Sequence, residues 1–147
     1  MTHVNKLDET NYADIKALFR SVFMAPPWND DWSDDAQLDN YLKDLIEVRG
    51  SLVLGLYEDE KFIGVSIGKI KHWCRGTEYF IEELCISNEE QHKGYGQMFF
   101  GLIEEYLSNM NINQIFLMTD RHMPAYVFYK KQGFKELTEL ASFFKEF

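Results

Sequence analysis

Apolar residues recur along this 147-residue chain in two rhythms, one of helices and one of strands. Thr2 to Leu7 reads as a short strand, after which Tyr12, Ile15, Leu18, Phe19, Val22 and Phe23 return at helical spacing behind Thr10, a residue type that caps helix starts. Pro26 stops that helix. A second helix is expected behind Ser33 as cap, with Asp34 and Asp35 favourable at its positive end. Its apolar stripe is Leu38, Tyr41, Leu42, Leu45 and Ile46, and Gly50 closes it.

From Ser51 the rhythm shortens. Leu52–Tyr57, Phe62–Trp73 and Glu78–Ser87 read as strands, separated by the polar turn Glu58-Asp59-Glu60-Lys61 and by Arg75-Gly76, which predicts an antiparallel meander. Beyond Gly96 the residues Phe99, Leu102, Ile103, Tyr106, Leu107 and Met110 share one helical face, and Ile112–Thr119 follows as a buried strand. Strand, glycine turn, helix and strand make a βαβ unit, which forces a parallel pair with a right-handed crossover. A short helix over Pro124–Gln132 has proline in its first turn and Gly133 past its end, and Phe134–Phe147 should return as strand. The sum predicts an α+β chain in which residues 1–147 form one domain. Its twisted central sheet is mixed but largely antiparallel, with about four flanking helices.

Composition narrows the partners. The chain is 46% hydrophobic, enough for a real core, and twenty-four acidic against fifteen basic residues give a net charge of −9. That balance argues against DNA, RNA or an anionic membrane as partner, since each needs Lys and Arg to neutralise phosphates, and favours a cationic one. No window approaches a membrane span, and the polar start Met1-Thr2-His3-Val4-Asn5-Lys6 lacks a signal-peptide stretch, so a cytoplasmic protein is expected. Cys74 and Cys85 are then expected as free thiols. The histidines and cysteines show no paired ligand spacing, so no metal site is expected.

The segment Gln91-His92-Lys93-Gly94-Tyr95-Gly96 lies between a strand and a helix. Successive backbone N–H groups there, added to the positive helix end, make a concave anion site, although a plain tight turn reads the same way. No Lys-Ser or Lys-Thr follows as a P-loop needs, and Phe99 stands where the third glycine of a dinucleotide fingerprint belongs. What remains is a Gln-x-x-Gly-x-Gly turn, and with it the chain resembles the GNAT superfamily of acyl-CoA-dependent N-acyltransferases. Ile81-Glu82-Glu83-Leu84-Cys85-Ile86 is similar to that family's central strand. Ala125-Tyr126-Val127-Phe128-Tyr129-Lys130-Lys131-Gln132-Gly133-Phe134 is similar to its Ala-x-x-(apolar)-Tyr-x-x-x-Gly-Phe motif. The resemblance implies a GNAT-like fold and acetyl-CoA as cosubstrate. It implies that the N–H groups of Gln91, His92, Lys93, Gly94, Tyr95, Gly96 and Gln97 hold the pyrophosphate, and that Leu84 and Ile86 bind the pantetheine arm through their main chains. The asparagine often found three residues before the motif alanine is His122 here, a departure from the pattern.

Acetyl transfer to an amine needs a base, a donor toward the carbonyl oxygen and a proton for the leaving thiolate. Alternation along a strand lets only one of Glu82 and Glu83 face the cleft. The resemblance places a base, where one exists, on the face of Phe80, Glu82 and Leu84, which selects Glu82; an ion-pairing or substrate-binding role for Glu82 stays open, and Glu83 is left as an orienting or surface charge. Tyr129 falls on the motif tyrosine and is the expected acid, although Tyr126 and Tyr129 could equally share a buried stripe. The N–H of Leu84 is the expected donor to the carbonyl, and Cys85 is read as a buried apolar residue. Asn29–Glu47 is strongly acidic and begins between Trp28 and Trp32, so Trp28, Asp31 and Trp32 are expected to bind a cationic acceptor: a polyamine, an aminoglycoside or a peptide amine. A merely solvated helix face gives the same pattern. The function expected is direct N-acetyl transfer to a primary amine; the alternative is a non-catalytic acyl-CoA-binding regulator. Phe143, Phe144 and Phe147 either pair with a second subunit in a homodimer or complete the core.

Overall fold

In the computed structural model, which describes residues 1–147, β1 (Thr2–Lys6), β2 (Ser51–Glu58), β3 (Lys61–Trp73) and β4 (Gly76–Ile86) run antiparallel in sequence order. β5 (Ile115–Leu117) joins β4 in parallel, completing a five-stranded sheet of order β1-β2-β3-β4-β5. Four helices flank it: α1 (Tyr12–Phe23), α2 (Asp35–Ile46), α3 (Tyr95–Ser108) and α4 (Pro124–Lys131).

Strand alternation divides the core. On one face α1 and α2 bury Ile15, Phe19, Leu38 and Leu42 against Val53, Val65 and Ile67. On the other, Phe99, Phe100 and Ile103 of α3 meet Leu52, Leu54, Leu56 and Ile63. The hydroxyl of Tyr79, fully buried there, donates to the carbonyl of Leu52 at 2.9 Å and lies 2.9 Å from the Ser66 hydroxyl, so no polar atom of the ring is stranded.

Four expectations are corrected. The first helical stretch is capped by Asp8, whose carboxylate accepts from the Thr10 N–H at 2.9 Å, so Thr10 lies inside a single 3-10 turn before α1. Asp34 rather than Ser33 caps α2, accepting from the Gln37 N–H at 3.1 Å, because the Ser33 hydroxyl donates instead to Asp31 at 2.6 Å. β5 spans Ile115–Leu117 instead of the whole of Ile112–Thr119, and residues 134–147 form no strand. A strand exists only where an edge pairs with it, and this segment runs beside none.

The other departure from regularity shapes the site. Ile67 pairs with Glu83 while the next residue, Gly68, pairs with Ile81, so Glu82 is an extra residue bulged out of β4. A Cβ on Gly68 would sit 2.4 Å from the Phe80 carbonyl oxygen, so the bulge requires glycine opposite it.

Candidate active site

The bulge reverses the faces of β4. Before it, Tyr79 and Ile81 point toward α3; after it, Leu84 and Ile86 take that side and Cys85 joins the α1–α2 core. The expectation that Glu82 shares a face with both Phe80 and Leu84 therefore fails, because one inserted residue moves every later side chain across the sheet. Glu82 is left beside Lys69, at 3.9 Å, with 29% of its side chain exposed. Glu83 turns instead into an aromatic wall, where it accepts a 2.6 Å hydrogen bond from the Tyr41 hydroxyl of α2. The Tyr41 ring stacks on Trp32, with centroids 5.0 Å apart and planes within 23°.

Burial pushes the Glu83 carboxyl up to about 7; the Tyr41 hydroxyl opposes this, and the charges of Asp30 and Glu82 add to it. Burial likewise raises the Tyr129 phenol to about 12, with the nearby Glu83 and Cys85 as lesser causes. Tyr129 packs edge-on to Phe100 and Phe134 at 5.9 and 5.5 Å, so the motif tyrosine is both a packed aromatic and a neighbour of Glu83. Cys85 is buried, its thiol pushed up by desolvation, which makes it unreactive.

β4 and β5 part company just short of this cluster. Their pairing runs from Tyr79–Ile115 to Ile81–Leu117 and stops, so the β4 edge from Glu82 to Ile86 has no neighbouring strand on that side. The side chains of Leu84 and Ile86 pack half-buried against the α3 core, leaving their main-chain groups at the open edge.

The turn after β4 follows directly on this open edge. His92 and Gly94 both have positive φ, 64° and 85°, and no main-chain N–H from Gln91 to Gln97 donates to a backbone carbonyl or side chain of the protein. Such a run of unshared donors at the start of α3 is a cradle for an anion. The side-chain Nε2 of Gln91 ties the turn to the end of β4 by donating to the Ile86 carbonyl at 3.1 Å, and Lys93 is held by Glu90 at 3.2 Å. The two glycines have different reasons. A Cβ on Gly94 would meet nothing within 4 Å, leaving space above the turn, whereas one on Gly96 would strike the Phe128 ring at 2.9 Å. Gly96 thus serves the packing of α4 on α3. His122 is exposed, its N–H donating to Asp120 at 2.8 Å.

The acidic stretch is mostly committed within the fold. Asp35 and Asp39 bind Lys16 at 2.8 and 3.0 Å, Asp35 also binds Arg20 at 3.1 Å, and Asp39 accepts from Tyr12 at 2.6 Å. Those charges stitch α2 to α1. Asp31 accepts from the Ser33 N–H and hydroxyl, and Trp28 packs on Phe23 at 5.5 Å. Of the expected acceptor residues, only Trp32 adjoins the Glu83 cluster, and Asp30 acts on it electrostatically. Sequence reasoning missed Tyr41 and the exchange of faces at Glu82–Glu83; the lone signal was a glycine, Gly68, facing a pair of glutamates.

The profile of the Acetyltransferase (GNAT) family matches residues 12–134, so the chain belongs to that family. None of the curated proteins matches it. Among solved structures it is similar to an integron cassette protein from the mobile metagenome of V. cholerae (19% identity, TM-score 0.79, 99% of this chain and 92% of that one). It is similar to AAC(6')-Iy in complex with the bisubstrate analogue CoA-S-monomethyl-acetylneamine (16%, TM-score 0.72, 99% and 98%). A transcriptional regulator from Bacillus halodurans C-125 shares the fold over the whole of both chains (14%, TM-score 0.74, 100% and 100%).

Proposed function

We propose that the protein transfers the acetyl group of acetyl-CoA directly to a primary amine of a cationic small molecule or peptide. The observation that carries this reading is the alignment of three features: the unshared N–H groups of Gln91–Gln97, the strandless edge of β4, and the Glu83–Tyr129 pair beyond it. The turn fits a diphosphate, with Gly94 leaving room above it, and the main-chain groups of Leu84 and Ile86 suit an extended amide arm added like a strand. Acetyl-CoA supplies the thioester. A cationic acceptor, polyamine-like, aminoglycoside-like or a peptide amine, suits Asp30, Glu82 and Glu83 beside the Trp32–Tyr41 aromatic wall.

In this reading the base is Glu83 rather than Glu82. A carboxylate that titrates near neutrality accepts a proton from the attacking nitrogen as the C–N bond forms. Tyr129 donates a hydrogen bond to the sulfur as the C–S bond breaks. A phenol at about 12 gives up its proton to a thiolate of about 8.5 only at a cost of about 5 kcal/mol, so Tyr129 steadies the thiolate while the proton that ends on sulfur comes from Glu83 or solvent. The Leu84 N–H is the proposed donor to the thioester carbonyl.

Phe143, Phe144 and Phe147 are exposed rather than completing the core, which suits the homodimer reading. A cytoplasmic site of action suits the two free cysteines, and no helix is long and apolar enough to cross a membrane. Thiol release measured over a panel of amines, together with calorimetry of acetyl-CoA binding, tests the function. Turnover with at least one amine is expected. Absence of acetyl-CoA binding overturns the reading, and binding without turnover on any amine points to an acyl-CoA sensor.

A further inference from the structure

The face of the sheet that carries Glu83 continues past it. On β3 the positions after Ile67 on that face are Lys69 and Lys71, Phe80 of β4 stands across from Lys69, and Phe116 of β5 stands beside Phe80. The α1–α2 core covers this face over Val65, Ile67 and Cys85, and neither Phe80 nor Phe116 belongs to either core. The two rings form a half-buried platform instead, with centroids 5.1 Å apart. Two ammonium groups stand over it: the Nζ of Lys69 lies 5.6 Å and that of Lys71 5.2 Å from the centre of the Phe80 ring. Glu82 balances Lys69 at 3.9 Å, whereas Lys71 makes no ion pair, although Glu78 stands opposite it in the ladder. In a chain of net charge −9 this is a patch of uncompensated positive charge beside an acidic cleft.

We propose that Lys69 and Lys71, with Phe80 between them, bind an anionic group of the acceptor, so that the substrate is a short peptide acetylated on its free α-amine and carrying a carboxylate on its third residue. This rests on the acetyl-transfer reading and narrows its acceptor. Spacing supports it. Ile67 pairs with Glu83, so Lys69 lies about 7 Å and Lys71 about 14 Å further along β3 from the level of the base. In an extended peptide the third Cα is likewise about 7 Å from the first, and its side chain leaves on the same face. A glutamate there lays its methylene stem on Phe80 and its carboxylate between the two ammonium groups. A free amino acid acetylated on its α-amine is too short, since its carboxylate is one carbon away. Polyamines and aminoglycosides bring no anion and set further cations against Lys69 and Lys71. The base agrees. An α-ammonium titrates near 8 and an alkyl ammonium near 10.4, so passing a proton to Glu83 at about 7 is uphill by about tenfold for the peptide and by more than about a thousandfold for a polyamine. The C–N bond forms as the C–S bond breaks, the proton of the nitrogen passes to Glu83, and coenzyme A leaves as the thiol.

Thiol release from acetyl-CoA is measured with Ala-Ala-Glu amide, its neutral isostere Ala-Ala-Gln amide, Ala-Ala-Lys amide and spermidine. The wild type is expected to favour the glutamate peptide over the glutamine one at least about fivefold in kcat/KM, through KM, the worth of a carboxylate held by two partly exposed ammonium groups. Lys69→Gln/Lys71→Gln, checked for folding by circular dichroism, should erase that preference. Lys71→Glu should shift it toward the lysine peptide, a reversal that a merely structural lysine would not produce. Equal rates on the two isosteric peptides, a preference that survives the loss of both lysines, or faster turnover of spermidine overturns this assignment alone. Turnover of none of the four amines overturns it too, and the acetyl-transfer reading falls with it if calorimetry also finds no acetyl-CoA binding.

Discussion

Glu83→Gln separates the cost of holding a carboxylate in the cleft from the service it performs there. Its carboxyl moves from 4.5 to about 7 on folding, chiefly through burial, which corresponds to about 3 kcal/mol. The sign follows from proton counting. Below pH 4.5 the group is neutral in both states and contributes nothing. As pH rises from 4.5 to about 7 the unfolded chain releases its proton first, so the folded state loses stability across that window and the full cost stands above it. Glutamine is neutral throughout and keeps an oxygen to accept the Tyr41 bond of 2.6 Å. The variant should therefore match the wild type in urea denaturation near pH 4.5 and exceed it at pH 8 by up to about 3 kcal/mol, while losing on the order of a hundredfold or more in turnover. No growth in the stability difference between those two pH values refutes the burial argument, and undiminished turnover refutes Glu83 as the base.

Other substitutions probe neighbouring contributions. Tyr129→Phe should lower kcat by about 10- to 100-fold, the worth of one hydrogen bond to a charged group, and leave acetyl-CoA affinity within twofold by calorimetry. Gly94→Val imposes a β-branched residue at φ 85° on the anion turn and should weaken acetyl-CoA binding at least tenfold, whereas unchanged affinity removes the turn from the site. Gly96→Ala drives a methyl into Phe128 at 2.9 Å and should cost about 1 to 3 kcal/mol in chemical denaturation. Tyr41→Phe removes the hydroxyl that holds Glu83 ionised, so carbon NMR of the Glu83 carboxyl should show it titrating above the wild-type value; Asp30 and Glu82 push the same way, and Tyr129 and Cys85 are the other titratable groups beside it.

Local chemistry determined much of this protein. The helical spacing in α1 to α4, the meander of β2 to β4, the βαβ unit and the Gln91–Gly96 turn were all legible, because each depends on residues close in sequence: apolar periods and glycines with no Cβ. The surface acids of α2 were legible as charges but not as contacts, since Lys16 and Arg20, which bind Asp35 and Asp39, come from another helix. Residues 134–147 were read as strand and form none, because a strand needs an edge to pair with, and whether one is available is decided by the arrangement of the sheet. The choice between Glu82 and Glu83 belonged wholly to the tertiary structure. Two adjacent glutamates on a strand differ only in the face they take, and that face was set by the pairing of Ile67 with Glu83 and of Gly68 with Ile81, a single inserted residue that no alternation pattern in β4 records.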